Sequence, residues 1–370
     1  MTGAGIAAGR EPVTVSVVGC GHVSRHDYLP LLAGSPHTRV VALCDADRER
    51  AAECAAEFGV GPVSDNVGQC LNETPSELVV NLTPPALHHG VTLDALRAGR
   101  HVYSEKPLAM SVSEATDTVA LAQERGLRLD AAPYVRDSPV VHALAALVRG
   151  GELGHVHTAT ARYGAESSMS RAAGWRYGRE NGGALFDLGV YPVALLRTVL
   201  GEPVRLSAHG DVLRPRLAGT GAEQQAGPLA ADNTVLTLDF GQGTSAVVQT
   251  GFWYGAHPFL LQVELLGEAG AARIAGEGNL MATALEVNSP ATGGRWERRE
   301  VELGDYHWAG GPVRMAADLR TGRAPDHEGT EALRVLRLLT AVEQAAAERS
   351  WIDVDDDPTH ETHDMEAVLR

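Results

Sequence analysis

Only four cysteines occur in the 370 residues, Cys20, Cys44, Cys54 and Cys70, and no two are spaced as C-x-x-C. A disulfide framework and a zinc-type ligand set are thereby disfavoured, and the thiols read as small buried apolar groups in a reducing compartment. Basic clusters are missing too. The formal net charge is -16, and a surface that binds phosphate backbones needs grouped Lys and Arg, so no nucleic-acid partner is expected. No apolar run approaches the roughly 20 residues that cross a bilayer, which argues against a membrane partner. Residues 1–12 have neither the basic start nor the apolar core of a signal peptide and read as a disordered lead-in to a cytoplasmic protein. Near the other end, His360-Glu361-Thr362-His363 beside Asp355-Asp356-Asp357 reads as a solvated acidic tail, and no metal is expected.

What is present is an ordinary soluble globular composition, 44% hydrophobic and 21% charged, on a length that suits two domains. Val13 to Val18 is a short β-branched run ending at Gly19, the pattern of a strand buried on both faces. Strands at Val40 to Cys44, Leu78 to Leu82, His101 to Tyr103 and Leu127 to Ala131 alternate with helical stretches at Tyr28 to Leu32, Asp47 to Phe58, Leu87 to Ala98 and Ser113 to Arg125. Such alternation implies a doubly wound parallel sheet, an α/β Rossmann-type domain over residues 13–133. From there the pattern changes. A helix at Pro139 to Arg149, a strand at Val156 to Tyr163 and a long helix to Leu200 precede several strands between Val204 and Leu266, with a Gly/Ala/Gln/Pro-rich loop from Leu213 to Ala231. Residues 134–370 therefore read as an α+β domain with an open, mostly antiparallel sheet, serving substrate binding and oligomerisation. The amphipathic helix 328–348 is expected to pack back on the first domain.

Gly19-Cys20-Gly21-His22-Val23-Ser24 follows the first strand directly and opens a helical stretch. Glycines there let the backbone turn tightly and approach a pyrophosphate at a helix N-terminus. The third glycine of the usual pattern is Ser24, so the motif alone is weak, but Asp45 ends the second strand at the distance where an acid accepts hydrogen bonds from a ribose diol. An acid at that point repels a 2'-phosphate, so NAD(H) is preferred over NADP(H), with Arg48 the residue that would admit the latter.

Glu105-Lys106-Pro107 closes a strand at the carboxyl edge of the expected sheet, where ligands bind in open α/β folds. A lysine there can bond a substrate oxygen and lower the pKa of a nearby phenol. Asn181 with Gly182-Gly183 reads as a capped helix start, from which Asp187 and Tyr191 fall one turn apart on one face. Tyr191 is then the proton-exchanging group toward a carbinol or ketone oxygen, Lys106 stabilises charge on that oxygen, and Asp187 holds a neighbouring hydroxyl.

In order and spacing, the Gly-rich turn, Thr83-Pro84-Pro85 with His88, Ala98-Gly99-Arg100-His101-Val102 leading into Glu105-Lys106-Pro107, Trp175-Arg176 and the Gly-Gly-x-x-x-Asp-x-Gly segment resemble the Gfo/Idh/MocA oxidoreductases. This is the glucose-fructose oxidoreductase and inositol dehydrogenase superfamily, and the resemblance runs over nearly the whole chain. It implies that Gly19, Gly21, His22, Val23, Asp45, Thr83, Pro84, His88, Glu105, Lys106, Trp175 and Arg176 line the dinucleotide site. Lys106, Asp187 and Tyr191 would face a sugar, sugar nucleotide or sugar-like polyol. Apart from the resemblance, Arg162, Tyr163 and Tyr177 are further candidate substrate contacts, with core or interface packing as the alternative for each. Many members carry histidine at the Tyr191 position; the tyrosine form is similar to glucose-fructose oxidoreductase, dihydrodiol dehydrogenases and nucleotide-sugar ketoreductases. The resemblance also implies a homo-oligomer, dimer or tetramer. Two other readings remain beside the dehydrogenase: a member that retains its cofactor and gives a net non-redox sugar conversion, and a non-catalytic dinucleotide-binding regulator.

Overall fold

The computed structural model describes residues 11–164, 174–213, 229–254, 260–275, 281–323 and 329–354. The acidic tail with His360 and His363, most of the lead-in and the centre of the 213–231 loop lie outside these residues.

Six short strands form the first sheet: β1 (Val13–Val18), β2 (Thr38–Cys44), β3 (Val63–Ser64), β4 (Leu78–Asn81), β5 (His101–Ser104) and β6 (Leu129–Ala131). All pair in parallel, in the order β3-β2-β1-β4-β5-β6. Parallel neighbours need a crossover on one face or the other. Between them run α1 (Leu29–Gly34), α2 (Arg48–Phe58), α3 (Val67–Glu73), α4 (His88–Arg97) and α5 (Val112–Glu124). Strand order reverses between β1 and β4, so the carboxyl ends of these two strands open the crevice where ligands bind in such sheets. Asp47, Asn66 and Ser111 cap α2, α3 and α5 by accepting from backbone N–H groups.

Helices α6 (Pro139–Arg149) and α7 (Val190–Leu200) cover one face of a second, nine-stranded sheet. Its strands are β7 (Val156–Gly164), β8 (Arg205–Asp211), β9 (Asn233–Asp239), β10 (Ser245–Gly251), β11 (Leu260–Gly267), β12 (Ala271–Ile274), β13 (Ala284–Asn288), β14 (Glu297–Glu300) and β15 (Ile352–Asp353). All neighbours are antiparallel except β7 and β10. Ala159, Ala161 and Tyr163 of β7 face the helices, while Thr160 and Arg162 point out of the open face.

Two features depart from the sequence reading, and a third meets its expectation and adds to it. The stretch Arg179–Leu200 is long and apolar enough to pass for a membrane span, but 78% of its apolar window is buried, as befits the central helix of a core. A helix the pattern did not show, α8 (Gly311–Thr321), returns to the first sheet and buries Met315 and Ala316 with Val13, Val15 and Tyr103. Finally, α9 (Thr330–Glu348) packs against β8 and α7 as well as against α5 of the first sheet, so it bridges the two layers.

Arg320 anchors α8 by gripping Glu77 with two bonds of 2.6 and 2.7 Å while also donating to the Glu11 and Pro12 carbonyls. That grip, with bonds from Thr14, lowers the Glu77 pKa to about 2. Because the folded value lies below the unfolded one, the stabilisation is complete above the ordinary glutamate pKa of about 4.3 and is lost as pH falls through the folded value. Glu77→Gln should therefore lower the melting temperature at neutral pH by a few degrees and make it less sensitive to acid. Calorimetry from pH 7 downward checks this, and parallel wild-type and variant curves would refute it.

Candidate active site

At the β1 end, Gly19 has φ +97°, and a Cβ there would meet the Leu82 carbonyl oxygen at 2.5 Å. Only glycine lets the two strand ends approach so closely. Gly21, by contrast, looks onto open space, at the mouth of a cleft of about 410 Å³ lined by Cys20, Gly21, His22, Arg25, His26, Asp47, Glu49, Arg50 and Glu53. A bare backbone beside an open cleft at a sheet's switch point fits a dinucleotide pyrophosphate. His22 is exposed on this rim with its ring 4.4 Å from that of His26, and Val23 packs into the core beneath.

Asp45 ends β2 as expected, but its carboxylate is already engaged. It accepts from the backbone N–H groups of Cys20 (2.7 Å) and Asp47 (2.9 Å) and from both sides of the Arg50 guanidinium (3.1 and 2.6 Å). Burial pushes this carboxyl up, but Arg50 and the two backbone donors outweigh it and hold it below the usual aspartate range. The arginine to watch is thus Arg50 and not Arg48, which lies 3.8 Å from Asp65. No spacing rule in the sequence singles out Arg50.

The next loop differs from the expectation for His88. Thr83 and Pro84 follow β4 near the Gly19 turn, with Pro84 exposed. His88 is 1% exposed and lies behind them: Nδ1 sits 2.6 Å from the Pro107 carbonyl and Nε2 2.7 Å from the Thr83 carbonyl. Both ring nitrogens are used inside the protein, so His88 braces the loops and does not line the cleft. Glu105 is likewise committed. Oε1 accepts from the Tyr28 hydroxyl at 2.7 Å and Oε2 from the Lys106 backbone N–H at 2.8 Å. Tyr28, missed in the sequence, ends a π-helical turn, Ser24–Tyr28, and is fully buried.

Lys106 and Asp187, 81 residues apart, meet at 2.7 Å, and the same ammonium donates to the Asp187 backbone carbonyl at 2.6 Å. The Arg176 guanidinium lies 3.6 Å from the other carboxylate oxygen, so the structure turns it toward the Lys106 site. Burial raises the Asp187 pKa, yet Lys106 and Arg176 together hold it below the ordinary range. Asp187 lies in a second π-helical turn, Leu185–Gly189, that runs directly into α7. The helical run does start at the expected Asn181-Gly182-Gly183, through a left-handed corner: Gly183 has φ +60°, with room for a Cβ closed off by Ala230. That corner aims the following turn at Lys106.

Tyr191 stands on α7 with Lys106 Nζ 5.4 Å from its ring centre. Burial, then the charge of Glu105, pushes its phenol well above the usual range. The lysine, committed to Asp187, does not lower it, contrary to the expectation. Tyr163 packs edge-on to Tyr191, their ring centres 5.2 Å apart. Arg162, one residue earlier on β7, points out of the opposite face and bonds Gln249 at 2.9 Å; strand alternation removes it from the site. Tyr177 is buried against Phe252 and Trp253, at ring separations of 5.0 and 6.1 Å, which makes it a packing residue. The Trp175 side chain lies outside the described residues.

One signal in the sequence would have found Lys106 without any motif. The chain carries 31 basic residues, of which Lys106 is the single lysine. A chain that uses arginine for every other positive side chain keeps a compact ammonium here.

A parallel dinucleotide-type sheet joined to an open-faced sheet, with a lysine and an acid meeting between them, defines a two-domain oxidoreductase fold. The description "Oxidoreductase family, NAD-binding Rossmann fold" of the GFO/IDH/MocA family matches residues 13–132, and the GFO/IDH/MocA C-terminal domain matches residues 141–273. The chain belongs to the Gfo/Idh/MocA oxidoreductase family. It is similar to dTDP-3,4-didehydro-2,6-dideoxy-alpha-D-glucose 3-reductases, at 30% identity over 71% of this chain and 74% of the Actinomadura kijaniata protein. The Streptomyces violaceoruber protein of the same name is 34% identical over 54% of this chain, a match spanning 57% of that relative. Among solved structures, the WlbA dehydrogenase from Bordetella pertussis, in complex with NADH and UDP-GlcNAcA, superposes with a TM-score of 0.78 at 22% identity, covering 94% of this chain and 100% of that one. This last likeness is one of fold.

Gly19→Ala should cost roughly 2–4 kcal/mol through left-handed strain and the clash with Leu82. Thermal melting with NADH titration checks this; a wild-type melting curve would show that the turn does not depend on glycine.

Proposed function

We propose that the chain is an NAD(P)-dependent oxidoreductase acting on a carbinol or ketone carbon of a sugar, and that a sugar nucleotide reduced at a ketone is the best-supported substrate class. The observation that carries this reading is the chain's single lysine, which follows β5 at the carboxyl edge of the dinucleotide-type sheet, bonds Asp187 and lies beside the Tyr191 ring. The two similar dTDP-sugar 3-reductases are in keeping with the substrate class.

A bound nicotinamide dinucleotide would supply or accept the hydride. The residues of this chain supply the rest. Tyr191, with its pKa pushed up, is a neutral phenol across the physiological range and is therefore a proton donor, suited to an oxygen gaining negative charge. Lys106 offers an ammonium to the same oxygen. Asp187, kept ionised by Lys106 and Arg176, anchors that ammonium and can accept from an adjacent hydroxyl. The same raised phenol argues for reduction as the easier direction, since oxidation needs a base there.

NAD(H) preference rests on Asp45, and Arg50 is the residue that could turn from Asp45 toward a 2'-phosphate. The row Val235, Gln249, Arg162 and Gln262 across the open face supports a homo-oligomer, dimer or tetramer, because this face has no covering layer among the described residues. Net acidity supports an absence of nucleic-acid partners.

NADH and NADPH titrations followed by steady-state reduction of sugar nucleotide ketones test the proposal. Lys106→Arg and Tyr191→Phe should each lower kcat by about two orders of magnitude or more. Near-normal turnover in either variant would sink the assigned role. Since the phenol stays protonated, the reduction rate should show no Tyr191-dependent alkaline loss below about pH 10; a limb near neutrality that vanishes in Tyr191→Phe would contradict this. Asp45→Ala should weaken NADH binding more than NADPH binding.

A further inference from the structure

We propose that His88 is a positioning residue that does two separable jobs, one with each ring nitrogen: Nδ1 sets the Lys106 loop through the Pro107 carbonyl, and Nε2 sets the cofactor-facing turn through the Thr83 carbonyl. The inference rests on Lys106 being the reacting lysine.

The two carbonyls belong to segments that follow different strands, β4 and β5, and each lies within 2.7 Å of the ring. The imidazole is almost wholly buried, so water cannot replace a bond that is lost. Its own backbone is held as well. Asn81 donates to the His88 carbonyl at 3.1 Å and to Thr92 Oγ1 at 3.2 Å, while its side-chain oxygen accepts from the Thr83 hydroxyl at 2.7 Å. The turn beside Gly19 and the residue next to Lys106 therefore share one ring as their common support. On the other side Glu105 repeats the arrangement, joining Tyr28 to the Lys106 backbone N–H. Carbonyl oxygens only accept, so contacts of 2.6 and 2.7 Å at both nitrogens require an N–H on each, that is, the charged ring; burial opposes that form and the two carbonyls favour it.

Two amide substitutions separate the jobs, because the asparagine amide nitrogen occupies the place of Nδ1 and that of glutamine the place of Nε2. His88→Asn and His88→Gln are compared in the full-length protein by NADH affinity, by kcat and KM, and by the ¹³C resonance of lysine Cε after growth on labelled lysine. With one lysine in the chain, that spectrum is a single assigned signal. His88→Asn should keep the lysine signal in place and lose NADH affinity by about tenfold, whereas His88→Gln should keep NADH affinity, shift the signal and lower kcat by about tenfold. If His88→Asn fails to fold, Asn81→Ser replaces it and should weaken NADH without moving the lysine signal; if His88→Gln fails to fold, a lysine signal that moves in His88→Asn overturns the proposal. The proposal is overturned if the two amides act alike on all three readouts, or if the lysine signal moves in neither. Failure of the underlying oxidoreductase reading looks different: the wild-type protein would then turn over no sugar nucleotide ketone, while NADH affinity and the lysine signal of the two His88 variants still report on His88.

Discussion

Everything at this site hangs on the contact between Lys106 and Asp187. The pair is 11% and 17% exposed, and such a buried pair is held by geometry as much as by charge, because removing one partner leaves the other desolvated at a cost of about 3–5 kcal/mol. The ammonium makes two bonds to one residue, and Arg176 faces the carboxylate oxygen that the lysine does not bond. This contact joins the end of a parallel strand to the start of a helix on the other sheet. It can form only when the two layers are docked, so the pairing is a property of their assembly.

Two π-helical turns sit at the two ends of this arrangement, Ser24–Tyr28 after the glycine turn and Leu185–Gly189 before α7. Such turns insert an extra residue into a helix and re-aim the side chains around it, and they recur at functional sites. Here the first carries Tyr28 to Glu105 and the second carries Asp187 to Lys106. Glu105 and Lys106 are neighbours in sequence, so one short loop after β5 is gripped from both domains. With His88 on the Pro107 carbonyl, three consecutive residues of that loop each have a buried anchor.

Much of the architecture was legible because local signals agreed with the final packing. The buried runs at Val13–Val18 and Leu78–Asn81, the caps at Asp47 and Ser111, and the apolar face of Thr330–Glu348 all specify their elements within a few residues. Less legible was anything decided by a long-range neighbour. The helix at Gly311–Thr321 has an unremarkable pattern and owes its place to a pocket beside Tyr103 and to Arg320 reaching Glu77. Gly182-Gly183 reads as a helix start and is one, but its left-handed corner, with Ala230 and Ala231 of another loop against it, shows only in the packed structure. Arg162 and Tyr163 are indistinguishable as candidates until the sheet shows which face is covered.

The sequence alone determined the alternating fold, the nucleotide-type turn with its acid, the family, and the lysine, acid and phenol that meet in the site. These depend on local periodicity, on glycine's conformational freedom and on residue chemistry, all written along the chain. Only the tertiary structure decided what each group touches: Arg50 on Asp45, both nitrogens of His88 spent on carbonyls, the Lys106 ammonium on Asp187 and the Tyr191 phenol left protonated. Charge state and hydrogen-bond commitment depend on burial and on partners tens of residues away, and those are set when the two sheets come together.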